Sequence, residues 1–264
     1  MPTLATHQSG DFTKLLFMGD SKSGKTGALA SLVLAGYKLR ILDYDNGLDV
    51  LAQVVRQHKP EALANVEFRT LRDKFKATPL GPVVDGTATA FVEGVRLLDN
   101  WKYEGTDLGN PAQWGKECIL VIDSFTFMSD AAFRFREPLV PRSKEGKYDI
   151  RAVYKDAQSA VEDVLALITS ESFRTNVIVI SHVRYVDNPD GTKKGYPTAV
   201  GSALSTQIPR YFNSVALCQT QASARTIQTT PTAMIDLANP ASFKMLPTLP
   251  IETGLATFFK TLRS

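Results

Sequence analysis

The sequence is poor in cysteine, in histidine and in long apolar runs. It has two cysteines and three histidines among 264 residues. Cys118 and Cys218 lie within or beside apolar segments, which excludes a disulfide-stapled secreted scaffold and points to buried thiols in a reducing compartment. The cysteines and histidines have no zinc-ligand spacing, so no zinc site is expected. No stretch reaches the roughly 18 apolar residues of a membrane span. The polar segment Met1–Thr13 has neither the basic start nor the apolar centre of a secretory signal, so a cytoplasmic protein without membrane contact is expected. Charge of one sign is also scarce. Thirty Lys and Arg against 27 Asp and Glu give a net charge of +3, too little to argue nucleic-acid binding on its own. There is no internal repeat and no linker long enough to divide the chain. At 44% hydrophobic and 22% charged residues the composition is that of a globular protein, long enough to bury about 70–75% of its unfolded surface. Residues 1–13 are expected as a flexible N-terminal segment and 14–264 as a single domain.

Several segments alternate between strand and helix. Lys14–Met18 reads as a buried strand, 25–35 as a helix stopped by Gly36, Lys38–Leu42 as a strand and 48–57 as a helix. Residues 65–71 read as a third strand, 87–101 as a helix and 103–115 as loop. Cys118–Ile122 and Asn176–Ile180 lack polar alternation, as strands covered on both faces do. Between them, 153–169 carries one apolar face at helical spacing. This order predicts an α/β fold with a mostly parallel central sheet flanked by helices. Ser214–Gln219, Ala224–Thr229 and Ala233–Leu237 predict shorter, antiparallel strands toward the C-terminus. A last helix is expected over 254–262, with Phe258 and Phe259 on its core side.

Gly19-Asp20-Ser21-Lys22-Ser23-Gly24-Lys25-Thr26 matches the phosphate-binding loop G-x-x-x-x-G-K-[ST], with a strand before it and a helix after it, and Gly27 directly behind the motif is counted with the nucleotide-binding residues. Its small residues let successive N–H groups point at phosphate oxygens, and the helix start adds partial positive charge. Lys25 is expected on the β- and γ-phosphates of ATP, Thr26 on Mg²⁺, and Lys22 as a further cation. A second magnesium-side group is needed, and Asp123 stands at the carboxyl end of a parallel strand, where such folds bind ligands. Asp45 is the candidate for activating the attacking water, with Asp43 as its rival. The alternative is that this Asp-Asn-Gly cluster only builds a turn.

These motifs, in this order, resemble the RecA-like recombinase ATPases. The segments involved are GDSKSGKT, ILDYDNGLD, LVIDSFTFM, VIVISHVR and Gly201-Ser202-Ala203-Leu204, and they cover residues 14 to about 220. The nearest resemblance is to the short, single-domain RecA-like phage proteins described as nucleotide-binding or single-strand-annealing ATPases. The resemblance implies a RecA-like P-loop NTPase core, Mg²⁺-dependent ATP hydrolysis, and a homo-oligomer, ring or filament, with nucleotide at subunit interfaces. It places Asp45 on the catalytic acid, as a departure from the usual glutamate. It places His182 on the γ-phosphate-sensing residue, as a departure from the usual glutamine. It also implies single-stranded DNA as partner, a single-strand-binding protein as a possible second partner, and the host cytoplasm as location. No N-terminal DNA-binding domain and no Phe-x-x-Ala polymerisation handle are expected. A trans-acting cation from a neighbouring subunit is expected at Lys244 or Arg225.

Seven basic residues stand against three acidic ones between Arg134 and Lys155. Arg142, Lys144 and Lys147 in that stretch, and Arg184, Lys193 and Lys194 in a second segment expected to be flexible (184–201), are candidate DNA contacts. Tyr148, Tyr185 and Tyr196 are candidate stacking platforms. Two other readings fit the same loop: a P-loop kinase or other small-molecule NTPase, and a nucleotide-switched assembly module without DNA.

Overall fold

Two strands with no polar alternation set the architecture. The computed structural model describes residues 11–141, 149–187, 191–221 and 224–264. In chain order, β1 (Lys14–Gly19) leads through the phosphate loop into α1 (Lys25–Ala28) and α2 (Ala30–Leu34), which Leu29 separates. Next come β2 (Lys38–Asp43), α3 (Asp49–His58), β3 (Val66–Thr70), β4 (Phe75–Thr78), β5 (Gly81–Val84), α4 (Ala90–Asp99), β6 (Lys102–Tyr103) and β7 (Thr106–Asp107). Then follow β8 (Gly115–Asp123), α5 (Phe125–Arg136), α6 (Ile150–Thr169), β9 (Thr175–Asp187), β10 (Lys193–Pro197), α7 (Ser202–Ser205), β11 (Ser214–Gln221), β12 (Ala224–Gln228), β13 (Thr248–Pro250) and α8 (Gly254–Arg263).

The main sheet runs β13-β12-β11-β1-β9-β8-β2-β3, and β10 joins the far end of β9. From β11 to β3 every pairing is parallel. The β11–β12 and β12–β13 pairings are antiparallel. This is the α/β architecture that the sequence predicts. Strand pleating divides the core in two. Leu15 and Phe17 of β1 face a cluster with α1–α3 and α8, where Phe258 and Phe259 are fully buried. Leu16 and Met18 face a cluster with α4, α5 and α6. Each such apolar side chain stabilises the fold by about 1.5–3 kcal/mol. Helix α6 starts where Asp149 accepts the Arg151 N–H at 2.9 Å, a capping bond at an otherwise unpaired helix end.

Four expectations are corrected. Ser214–Gln219 is parallel to β1 and antiparallel only to β12. Ala233–Leu237 forms no strand: Ile235 and Leu237 are buried, but only Ala238 bridges, to Val215. The 103–115 segment is not all loop, because β6 and β7 pair within it. Described residues of 184–201 are largely paired rather than flexible. β9 runs on to Asp187 and β10 pairs with it antiparallel. Gly195 makes this packing possible, since a Cβ there would sit 2.8 Å from Ile235 and 3.0 Å from Val183.

Candidate nucleotide site

Parallel pairing brings the chemistry to one edge. Asp43 pairs with Asp123 in register, and Gly19 pairs with both His182 and Cys218. Five adjacent strands thus bring these residues to one level, at the carboxyl side of the sheet where open α/β folds bind ligands.

The phosphate loop leaves β1 at Gly19 and closes on Gly24, whose φ of 103° is left-handed and favours glycine. Lys25 is buried, with Nζ donating to the Gly19 carbonyl at 2.9 Å and the Asp20 carbonyl at 2.7 Å. Burial lowers its pKa, while Cys218, Asp123, Asp45 and Asp20 pull it back up. Asp20, Ser21 and Lys22 are exposed at the loop crest, and Gly27 lies in the first turn of α1. The buried Ser23 hydroxyl has no hydrogen-bond partner among the described residues.

Thr26 Oγ1 donates to Asp123 Oδ2 at 2.7 Å. Burial pushes the Asp123 carboxyl up to about 7; the Thr26 bond and Lys25 oppose this, and the Asp45 and Asp43 carboxylates reinforce it. The peptide from Asp123 to Ser124 is cis. Ser124 Oγ donates to Asp45 Oδ1 at 2.8 Å. Asp43 is placed differently. Its Oδ1 accepts the Asn46 N–H at 2.7 Å and its Oδ2 accepts the Thr70 hydroxyl at 3.1 Å. Its carboxylate is thus engaged in building the turn, whereas Asp45 is half-buried beside Ser124. Burial and the Lys25 charge hold the His182 pKa down, with Asp45 and Asp20 opposing. The His182 ring stands edge-on to Phe127, centroids 6.1 Å apart.

The donor set fits magnesium: a hydroxyl and carboxylate oxygens, hard ligands that suit a cation completing its shell with phosphate oxygens and water. The buried Asp123 carboxyl, crowded by two others, is a group that a cation would stabilise as the anion. No cluster of three His, Cys, Asp or Glu able to hold a metal occurs among the described residues.

The proposed DNA contacts are less gathered. Arg142, Lys144, Lys147 and Tyr148 lie outside the described residues. Arg184 is exposed on β9. Lys193 pairs with Asp187 at 3.4 Å and Lys194 with Asp236 at 2.8 Å. Of the two expected trans-acting cations, Lys244 lies over the Phe243 ring near Asn213 and Phe12, at the opposite edge of the sheet. Arg225 lies over Gly24 of its own phosphate loop.

Sequence reasoning missed Thr126, whose hydroxyl accepts the His182 N–H at 3.1 Å. It also missed Thr70, which holds Asp43. Neither has a motif signal, because both contacts join residues far apart in the chain. No helix among the described residues is long and apolar enough to cross a membrane.

No match was found among curated proteins. Among solved structures, one similarity is to an ATPase from the type III secretion system of pathogenic bacteria, at 12% identity and a TM-score of 0.39, covering 78% of this chain and 52% of that one. Another is to the ATP synthase subunit NeqB from Nanoarcheaum equitans, at 10% identity and a TM-score of 0.39, covering 80% of this chain and 48% of that one. The chain spans about half the length of these structures. A family model described as an AAA domain matches residues 11–239. That span holds the phosphate loop, Asp45, Asp123 and His182, and the chain belongs to this AAA-domain family of P-loop ATPases.

Proposed function

We propose that the protein is a Mg²⁺-dependent, RecA-like ATPase acting on single-stranded DNA, in phage-type recombination, annealing or replication. The observation that carries this reading is the pair of hydrogen bonds Thr26–Asp123 and Ser124–Asp45 at the mouth of the phosphate loop. They set the Asp123 and Asp45 carboxylates near one another, as a magnesium-side and a water-activating group would need to be. Lys25 and the loop N–H groups would bind the triphosphate. Thr26 and Asp123 would hold Mg²⁺, which when bound supplies charge neutralisation for the phosphate oxygens. Asp45, oriented by Ser124, would accept the proton of the attacking water. His182 would donate toward the terminal phosphate and, through β9, link it to the β9–β10 hairpin bearing Arg184 and Tyr185. Like its relatives by resemblance, the chain would work as a homo-oligomer, with a single-strand-binding protein as a possible partner, in the host cytoplasm.

A second reading, a nucleotide-switched module without DNA, draws on the pairing of Lys193 and Lys194 with acids of their own chain. ATP hydrolysis measured with Mg²⁺, with and without single-stranded DNA and with Lys25→Ala as control, separates the two. Stimulation that weakens with salt and vanishes in Lys25→Ala is the expected result. Hydrolysis indifferent to DNA would remove the DNA reading and leave the second.

A further inference from the structure

The flank of the phosphate loop away from Asp123 carries a cation that the proposed hydrolytic mechanism does not use. Arg225 stands on β12, opposite Thr220 of β11, and its stem crosses back over the loop. A Cβ built on Gly24 would lie 3.1 Å from Arg225 Cδ, 3.7 Å from its Nε and 2.8 Å from Ile251 Cδ1. Position 24 favours glycine for its φ, and a Cβ there would also push the Ile251 and Arg225 side chains aside. The Arg225 guanidinium has no hydrogen bond or ion pair among the described residues. Its positive charge reaches the loop all the same: burial pushes the Cys218 thiol pKa up, and Ser23, Lys25 and Arg225 oppose the rise. Beside it opens a cavity of about 440 Å³, walled by Gly24, Gly27, Val50, Val54, Arg225 and Ile251.

We propose that Arg225 contacts the bound nucleotide from within the same subunit, at the phosphate nearest the sugar. The inference rests on the reading of the loop as a nucleoside triphosphate site. Asp123, Asp45 and Thr26 hold the β8–β2 flank, where magnesium and the terminal phosphate belong. The remainder of the nucleotide must leave on the β11–β12 flank, and there it passes Arg225. A guanidinium suits this place, because its planar fork meets two phosphate oxygens at once. Its packed stem spares part of the entropy that a free lysine would lose. The geometry also reassigns Arg225 from a cation lent to a neighbour to one acting on its own loop.

The test is calorimetric titration of wild type, Arg225→Gln and Arg225→Lys with Mg-ATP, ADP and adenosine, at a concentration where sedimentation shows single copies. Loss of a charge-assisted bond predicts binding of ATP and ADP about tenfold weaker or more in Arg225→Gln. Adenosine binding should be unchanged, Arg225→Lys should recover part of the loss, and the ligand-free melting temperature should hold. Unchanged ATP affinity in Arg225→Gln overturns the proposal. So does an equal loss for ATP and adenosine, which would mark a packing role against Ile251. Wild-type binding without DNA stimulation of hydrolysis would fail only the DNA reading. Absence of any nucleotide binding by wild type would fail both.

Discussion

The Thr126 hydroxyl accepts the backbone N–H of His182 at 3.1 Å and donates to the Thr198 carbonyl at 3.3 Å. One turn on, Ser129 Oγ accepts the Val200 N–H at 3.1 Å. The first turn of α5, which starts directly after Asp123 and Ser124, therefore grips both ends of the β9–β10 hairpin. Replacing Thr126 with valine keeps the shape and removes both bonds. Nucleotide affinity should stay within about threefold, since a net hydrogen bond contributes about 0.5–1.5 kcal/mol and neither bond touches the loop. Amide exchange of the hairpin should rise, and its response to nucleotide should fade. Identical hairpin exchange in Thr126→Val and wild type, with and without nucleotide, would show that α5 does not grip it.

Asp45→Asn should lower hydrolysis by about 10²–10⁴-fold, the usual span for removal of a general base, while leaving ATP affinity close to wild type. Ser124→Ala should cost far less, because it removes only the bond that orients Asp45. Asp43→Asn should act differently again. Its carboxylate holds Asn46 and Thr70, so the melting temperature should fall with the rate. Single-turnover rates beside thermal melts check all three.

Lys14 gives a pH dependence of stability. Its Nζ donates to the Phe173 and Thr175 carbonyls at 2.7 and 2.8 Å, and burial lowers its pKa to about 7 from the ordinary 10.5. Between those values the unfolded chain holds the proton more firmly than the folded one. Stability should therefore rise as pH climbs from about 7 toward 10.5, and the charged-lysine penalty should be complete below that window. Urea midpoints of wild type and Lys14→Met should converge or cross as pH rises. Parallel profiles from pH 7 to 10 would refute the assignment.

Gly24→Ala should distort the loop by two routes. The left-handed φ costs about 1–2 kcal/mol for an L-residue, and the new Cβ would press on Ile251 at 2.8 Å. Adding Ile251→Ala should relieve the contact but not the backbone strain. Nucleotide affinity in the double variant should recover only in part.

The fold was legible where residues act locally. The phosphate loop carries its own spacing, and the doubly buried β8 and β9 carry an unbroken apolar run. Asp123 followed from its position at the end of such a run. What depends on distant partners was not legible. The direction of β11 is set by its pairing with β1, some 200 residues away in the chain. Ile235 and Leu237 are buried at alternate positions yet find no ladder, so period-two patterning alone misled. The β4–β5 hairpin holds Gly81 and Pro82, residues that weaken any strand pattern. Thr126 carries no motif of its own, and only the fold sets its hydroxyl against the His182 N–H.

The level at which Gly19, Asp43, Asp123, His182 and Cys218 align means that β1, β2, β8, β9 and β11 each contribute a group on a separate strand. A slip of one residue in any pairing would turn that group to the opposite face of the sheet. The nucleotide site is thus a gauge of correct assembly: a mis-threaded sheet has no place to bind. Ligand present while the chain folds would draw the population toward the properly threaded form by mass action, so the reactant would also act as a proofreader of the protein that consumes it.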